Sequence, residues 1–195
     1  MLGLQLPTDP RWANIAEKNI EEILTDHAYC EQKAASTAIS LIIQYPEHSE
    51  LVTAMSELAR EEMEHFQRVH QLILQRGLTL GWERKDEYVN DLARMIRKGE
   101  GKVVALVDKL LFAALVEARS CERFKVLSEN IEDTELAAFY RELMISEAGH
   151  YTMFLSFARQ YGKPENIDVE RRWKEFLKYE AEVISQYGNT ERIHG

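Results

Sequence analysis

The chain has 195 residues, 29% of them charged, and its 33 acids against 24 bases give a formal net charge of −9. That length suits one domain, residues 1–195, with a substantial core, and the acidic balance argues against nucleic-acid binding driven by overall charge while leaving room for a local basic face. The two cysteines, Cys30 and Cys121, form no CxxC, which argues against a disulfide scaffold, a rubredoxin-type iron site and a zinc ribbon.

In chain order, residues 1–10, with Pro7 and Pro10, read as an extended lead-in. A first helix is predicted over residues 12–44, stopped by Pro46, and a second over 49–76, ended by Gly77. Residues 77–101, punctuated by Gly81, Gly99 and Gly101, read as a crossover around one short amphipathic piece, 88–96. A third helix is expected from 102 to about 129, a fourth from 133 or 134 to 161 before Gly162 and Pro164, and a fifth, amphipathic, over 169–187 packing outside the others. Residues 188–195 are expected to fray. The longest apolar runs, 103–107 and 110–116, fall far short of a membrane span, and the N-terminus has no basic-then-apolar signal. A soluble, cytoplasmic protein is expected.

Polar residues interrupt the apolar stripes at matched places. Leu51, Met55, Leu58, Glu62, His65, Val69 and Leu72 step by four and three, the spacing of one helix face. Leu136, Tyr140, Leu143, Glu147, His150, Phe154, Phe157 and Tyr161 repeat that arrangement. Each Glu-x-x-His pair follows a helix with one inward glutamate: Glu31 on the stripe of Leu24, His27, Ala34, Ala38 and Leu41, and Glu117 on that of Val107, Leu110, Ala114, Cys121 and Phe124. Glu31 precedes Glu62 by 31 residues and Glu117 precedes Glu147 by 30, so one helical hairpin occurs twice. Within each hairpin, both acids stand equally far from the turn and come level at mid-length.

A buried, unpaired carboxylate costs several kcal/mol, so such groups find partners or bind metal. One Glu from each of two helices plus Glu-x-x-His from each of two others is the inward ligand set of ferritin-like di-iron and di-manganese proteins. The expected fold is therefore all-α: a ferritin-like four-helix bundle with a long crossover between helices two and three and an additional C-terminal helix. Glu31, Glu62, His65, Glu117, Glu147 and His150 are the candidate metal ligands, and through the metals the catalytic residues. Carboxylates bridge and neutralise two cations while each imidazole fixes one coordination position. Any one of the six alone would read as a surface or satisfied core residue; all six on matched stripes do not.

His27, one turn before Glu31, reads as a hydrogen-bonded core histidine, with an extra ligand or proton carrier as alternatives. Cys121 reads as a packed thiol rather than a redox participant. Local basic sets occur in the crossover (Arg84, Lys85, Arg94, Arg97, Lys98 and Lys102) and in helix five (Arg171, Arg172, Lys174 and Lys178). A docking polyanion is expected there first.

The run Val116-Glu117-Ala118-Arg119-Ser120-Cys121-Glu122-Arg123-Phe124 resembles the helix-three signature of the tRNA hydroxylases that act on methylthio-isopentenyladenosine. The segments 26–35 (DHAYCEQKAA), 60–66 (REEMEHF) and 146–151 (SEAGHY) resemble that family's other three ligand helices. Gly149 stands where the family pattern has a bulkier, often basic residue. The resemblance implies an iron monooxygenase with two Fe ions and O2 as co-substrate, hydroxylating the isopentenyl side chain of a modified adenosine beside the tRNA anticodon. It also implies an external electron donor of the reductase or ferredoxin type, because the chain has no flavin or iron–sulfur motif of its own. A monomer or small homo-oligomer is expected. The competing readings are a bacterioferritin-like storage or ferroxidase protein, which must assemble into a shell, a rubrerythrin-like peroxidase, disfavoured by the missing CxxC pairs, and a metal-free structural bundle.

Overall fold

The structure is a computed structural model describing residues 2–187 and 192–193. Among the described residues it has seven α-helices, one 3-10 turn and no strand. They are α1 (Trp12–Lys18), α2 (Ile20–Gln44), α3 (Ser49–Gln75), α4 (Glu87–Leu92), α5 (Lys102–Asn130), α6 (Thr134–Gly162) and α7 (Val169–Tyr187), with the 3-10 turn at Ala93–Met95. No helix among these is long and apolar enough to cross a membrane.

The chain divides into two compact units. The smaller, Lys18–Lys85 with Glu191–Ile193, is the α2–α3 hairpin and the start of the crossover. Its stripe on α3 is buried throughout, from Leu51 to Leu72. Gly77 ends that hairpin at φ +68°, where its amide donates to the Leu74 carbonyl at 3.0 Å and the Leu78 amide to that of Ile73 at 3.0 Å. This left-handed cap satisfies carbonyls that the helix leaves open, at a conformation only glycine adopts freely.

The larger unit, Met1–Glu17 and Asp86–Thr190 with His194–Gly195, is the α5–α6 hairpin flanked by α4 and α7. Asp133 Oδ1 accepts the Leu136 amide at 2.9 Å and starts α6; Asp86 Oδ1 does the same for α4 with the Val89 amide at 2.9 Å. Helix α5 is buried on nearly every side, because α7 packs on it as well as α6.

Two sequence expectations need correction. The first predicted helix is interrupted at Asn19, where φ is −127° and ψ is 44°. Its first turns belong to the larger unit: Trp12 lies beneath the Arg123 guanidinium at 4.1 Å, and Glu17 Oε1 accepts the Glu132 amide at 2.7 Å. Asparagine tolerates the break because its side chain competes with helical hydrogen bonds. In the C-terminal stretch, residues 188–191 and 194–195 lie outside the described residues. Ile193, however, is buried, and its amide donates to Asp26 Oδ2 at 2.8 Å.

Candidate metal centre

Each unit holds half of the six-residue set. In the smaller, α2 supplies Glu31 and α3 supplies Glu62 and His65, which are 4%, 1% and 4% exposed. His65 Nδ1 lies 3.6 Å from both Glu31 Oε2 and Glu62 Oε2, and one donor atom from each of the three lies within 4.8 Å of the others. In the larger unit, α5 supplies Glu117 and α6 supplies Glu147 and His150, which are 6%, 2% and 6% exposed. His150 Nδ1 lies 3.9 Å from Glu147 Oε2, and this trio's donor atoms also lie within 4.8 Å of one another. The stripes account for this convergence. A residue on the apolar face of a helix faces its hairpin partner, whatever its own polarity.

Burial opposes charge on His65, yet the carboxylates of Glu31 and Glu62 outweigh it and push the imidazole up to about 9. Burial would likewise raise Glu31, but hydrogen bonds from His27 and His65 hold its carboxyl well below the usual range. The corner is thus organised around positive charge. The donors are carboxylate oxygens and imidazole nitrogens without thiolate, a set that suits iron or manganese.

His27 is fully buried, and its Nε2 lies 2.6 Å from Glu31 Oε1. This is the hydrogen-bonded core histidine of the sequence reading, and the group it orients is a candidate ligand. Cys121 donates its thiol to the Met144 carbonyl at 3.3 Å, and burial followed by the nearby Glu122 and Glu117 charges pushes it up to about 11. It is a packed thiol, far from a reactive thiolate.

The remaining charges of the helix-three signature lie across α5 from Glu117 and form a buried ion network. Arg119 Nε donates to Glu180 Oε1 at 3.0 Å, and its Nη1 donates to Glu122 Oε2 at 2.9 Å. Tyr88 adds its hydroxyl to Glu180 Oε1 at 3.0 Å, and the Thr8 amide donates to Glu122 Oε1 at 2.8 Å. Two arginines, Arg119 and Arg123, balance two glutamates, so α7 and the lead-in are tied to the back of α5. Sequence reasoning recognised this run but gave Arg119, Glu122 and Arg123 no role. Its signal is three charges, Arg119, Glu122 and Arg123, within five residues.

The basic sets are partly structural. Asp108, fully buried, accepts Arg97 Nε at 2.9 Å and Arg172 Nε at 3.0 Å, so these two arginines clamp the crossover and α7 to α5. Arg94 pairs with Asp91 at 2.8 Å, while Lys98, Lys102, Lys174 and Lys178 are exposed. Gly149 is exposed as well, and a Cβ there would meet nothing within 4 Å. Its departure from the family pattern disturbs no packing.

Comparison with known proteins agrees along the whole chain. The chain is 41% identical to the tRNA 2-(methylsulfanyl)-N(6)-isopentenyladenosine(37) hydroxylase of Pseudomonas putida, over 98% of this chain and 91% of the relative. It is 28% identical to the protein of the same description from Salmonella typhimurium, over 98% of this chain and 87% of the relative. Among solved structures it resembles "Protein 43 with aldehyde deformylating oxygenase activity" from Synechococcus, with a TM-score of 0.88 and 36% identity, covering 98% of this chain and 95% of that one. The fold is all-α and ferritin-like, as the ligand pattern implied. The model of one enzyme family, tRNA-(MS[2]IO[6]A)-hydroxylase (MiaE), matches residues 2–195, and the chain belongs to that family.

Proposed function

We propose that this protein is an O2-dependent di-iron monooxygenase that hydroxylates the isopentenyl side chain of methylthio-isopentenyladenosine beside the anticodon of tRNA. The observation carrying the reading is the pair of buried Glu-x-x-His motifs, each meeting one glutamate of the preceding helix, in a chain 41% identical to a hydroxylase of that nucleoside. Glu31, Glu62, His65, Glu117, Glu147 and His150 would hold two iron ions. Four carboxylates and two imidazoles fit such a pair, because two divalent cations neutralise four buried negative charges. Bound iron supplies the dioxygen and redox chemistry.

The chain's own residues position and insulate. His27 fixes the Glu31 carboxylate, and Leu58, Val69, Leu143 and Phe154, all buried, keep water from the ligand stripes. In the net reaction one allylic C–H bond becomes C–OH, one oxygen atom of O2 enters the product and the other leaves as water. The balance requires two electrons and two protons. The electrons come from an external protein donor of the reductase or ferredoxin class. With tRNA as substrate and no membrane-crossing helix among the described residues, the protein works in the cytoplasm as a monomer or small oligomer.

The test is direct. Iron-loaded protein is incubated with an electron source, O2 and bulk tRNA carrying the unhydroxylated nucleoside, and the digested tRNA is examined by mass spectrometry. One nucleoside gaining one oxygen is expected. No gain on tRNA, together with turnover of an aldehyde offered in its place, would transfer the protein to the chemistry named for its Synechococcus neighbour. Elution as a shell-sized particle would favour storage.

A further inference from the structure

The crossover carries an indole that the chemistry above leaves unused. Trp82 is 93% exposed, whereas Trp12 and Trp173 are buried. A packed aromatic side chain of this kind buries about 150–250 Å², so an indole left in water forgoes a large stabilisation. A mobile loop would let it fold back. Here the backbone is held on both sides of it.

On the N-terminal side, the Gly81 amide donates to Thr25 Oγ1 at 3.2 Å and its carbonyl accepts from the Tyr29 hydroxyl at 3.1 Å. A Cβ at Gly81 would stand 3.2 Å from Thr25 Cγ2, so the loop's close approach to α2 favours glycine. On the C-terminal side, Lys33 Nζ pairs with Glu83 at 2.9 Å and donates to the Arg84 carbonyl at 3.3 Å. The Arg84 guanidinium meets Glu22 at 3.0 Å, and Arg192 caps the Lys85 carbonyl. The chain is clamped while the ring points to solvent.

Thr25, Tyr29 and Lys33 step by four along α2 and share one face. Tyr29 and Lys33 are each two residues from Glu31, so both anchors stand within about 3 Å of its height, on the face of α2 turned away from it. The residues following the ring, Glu83, Arg84 and Lys85, are charged rather than apolar. A protein-binding hot spot is ringed by packed neighbours that exclude water. An exposed ring on a held backbone, with the exposed Lys85 three residues on, is instead the makeup of a stacking platform for unpaired bases.

We propose that Trp82 stacks on an unpaired base of the anticodon loop, with the exposed Lys85 providing positive potential for the adjoining phosphates. The inference rests on the tRNA-hydroxylase reading and names the residue that seats its substrate. Recognition of looped RNA through splayed bases on aromatic rings requires no duplex melting.

Iron-loaded wild type, Trp82→Ala and Trp82→Phe are titrated with an anticodon stem-loop oligoribonucleotide and with a fully paired duplex. Trp82→Ala is expected to weaken stem-loop binding roughly ten- to hundredfold, Trp82→Phe to recover most of it, and duplex binding to stay unchanged. The loss persists at raised salt, whereas that of Lys85→Glu shrinks, because only the latter is ionic. Unchanged stem-loop affinity in Trp82→Ala, with wild type still hydroxylating tRNA, overturns the stacking role and leaves the hydroxylase reading standing. If that variant instead only raises the concentration of electron donor needed for half-maximal rate, the ring docks a protein and the proposal falls. A wild type that neither binds nor modifies tRNA removes the underlying reading, and the stacking role with it.

Discussion

His27 Nε2 and Glu31 Oε1 lie 2.6 Å apart, one helical turn from each other and both inside the protein. With Glu31 as the iron ligand proposed above, a group that orients it in this way typically accounts for a 10- to 100-fold difference in metal affinity. His27→Phe is therefore expected to weaken iron binding by about that factor while leaving the helical circular dichroism unchanged. Iron stoichiometry against competing chelator checks it. Full retention of iron would reduce His27 to a packing residue.

Glu180 and Arg119 meet at 3.0 Å with both side chains fully buried. Removing one member of such a pair leaves a buried charge uncompensated, at about 3–5 kcal/mol. Glu180→Ala is expected to lower urea stability by that order. Adding Arg119→Met should restore much of it, since the orphaned cation goes too. Additive losses in the double variant would contradict the pairing.

Asp108 predicts an acid limb. Burial alone would raise its pKa, but hydrogen bonds from Arg97 and then Arg172 hold it below the ordinary aspartate value. A carboxyl whose folded pKa lies below its unfolded one contributes stability above the unfolded value and loses it as pH falls through the folded value. Stability should decline as pH drops below about 4, and Asp108→Asn should flatten that part of the curve while lowering the plateau. Urea midpoints measured from neutral pH down to pH 2 decide it.

At Gly149 a Cβ meets nothing within 4 Å, on an exposed turn inside α6. Glycine there costs roughly 0.5–1 kcal/mol relative to alanine. Gly149→Ala should raise stability by that amount and leave iron content unchanged. A loss of stability would mean that the position bears a contact the fold does not reveal.

Much of this protein is local information. The extents of α3, α5, α6 and α7 follow from apolar periodicity and from the glycine and aspartate signals at their ends, because both act within one or two turns. The same periodicity exposes Glu31, Glu62, His65, Glu117, Glu147 and His150, since a polar residue on an apolar stripe is conspicuous without coordinates. The break at Asn19 was less legible. Its cause is the docking of Trp12 under Arg123, 111 residues away in the chain.

Tertiary structure alone decided what the other charges do. Arg119 reads as part of a signature, but its partner Glu180 comes 61 residues later on a different helix. Arg97 and Arg172 read as an open basic face until both close on the buried Asp108. Trp82 reads as one more aromatic, yet it is the tryptophan the fold leaves in water. A helix face is set by spacing along one segment, whereas the partner of a charge or a ring depends on which segments pack together, and that is determined by the whole chain's burial rather than by any local pattern.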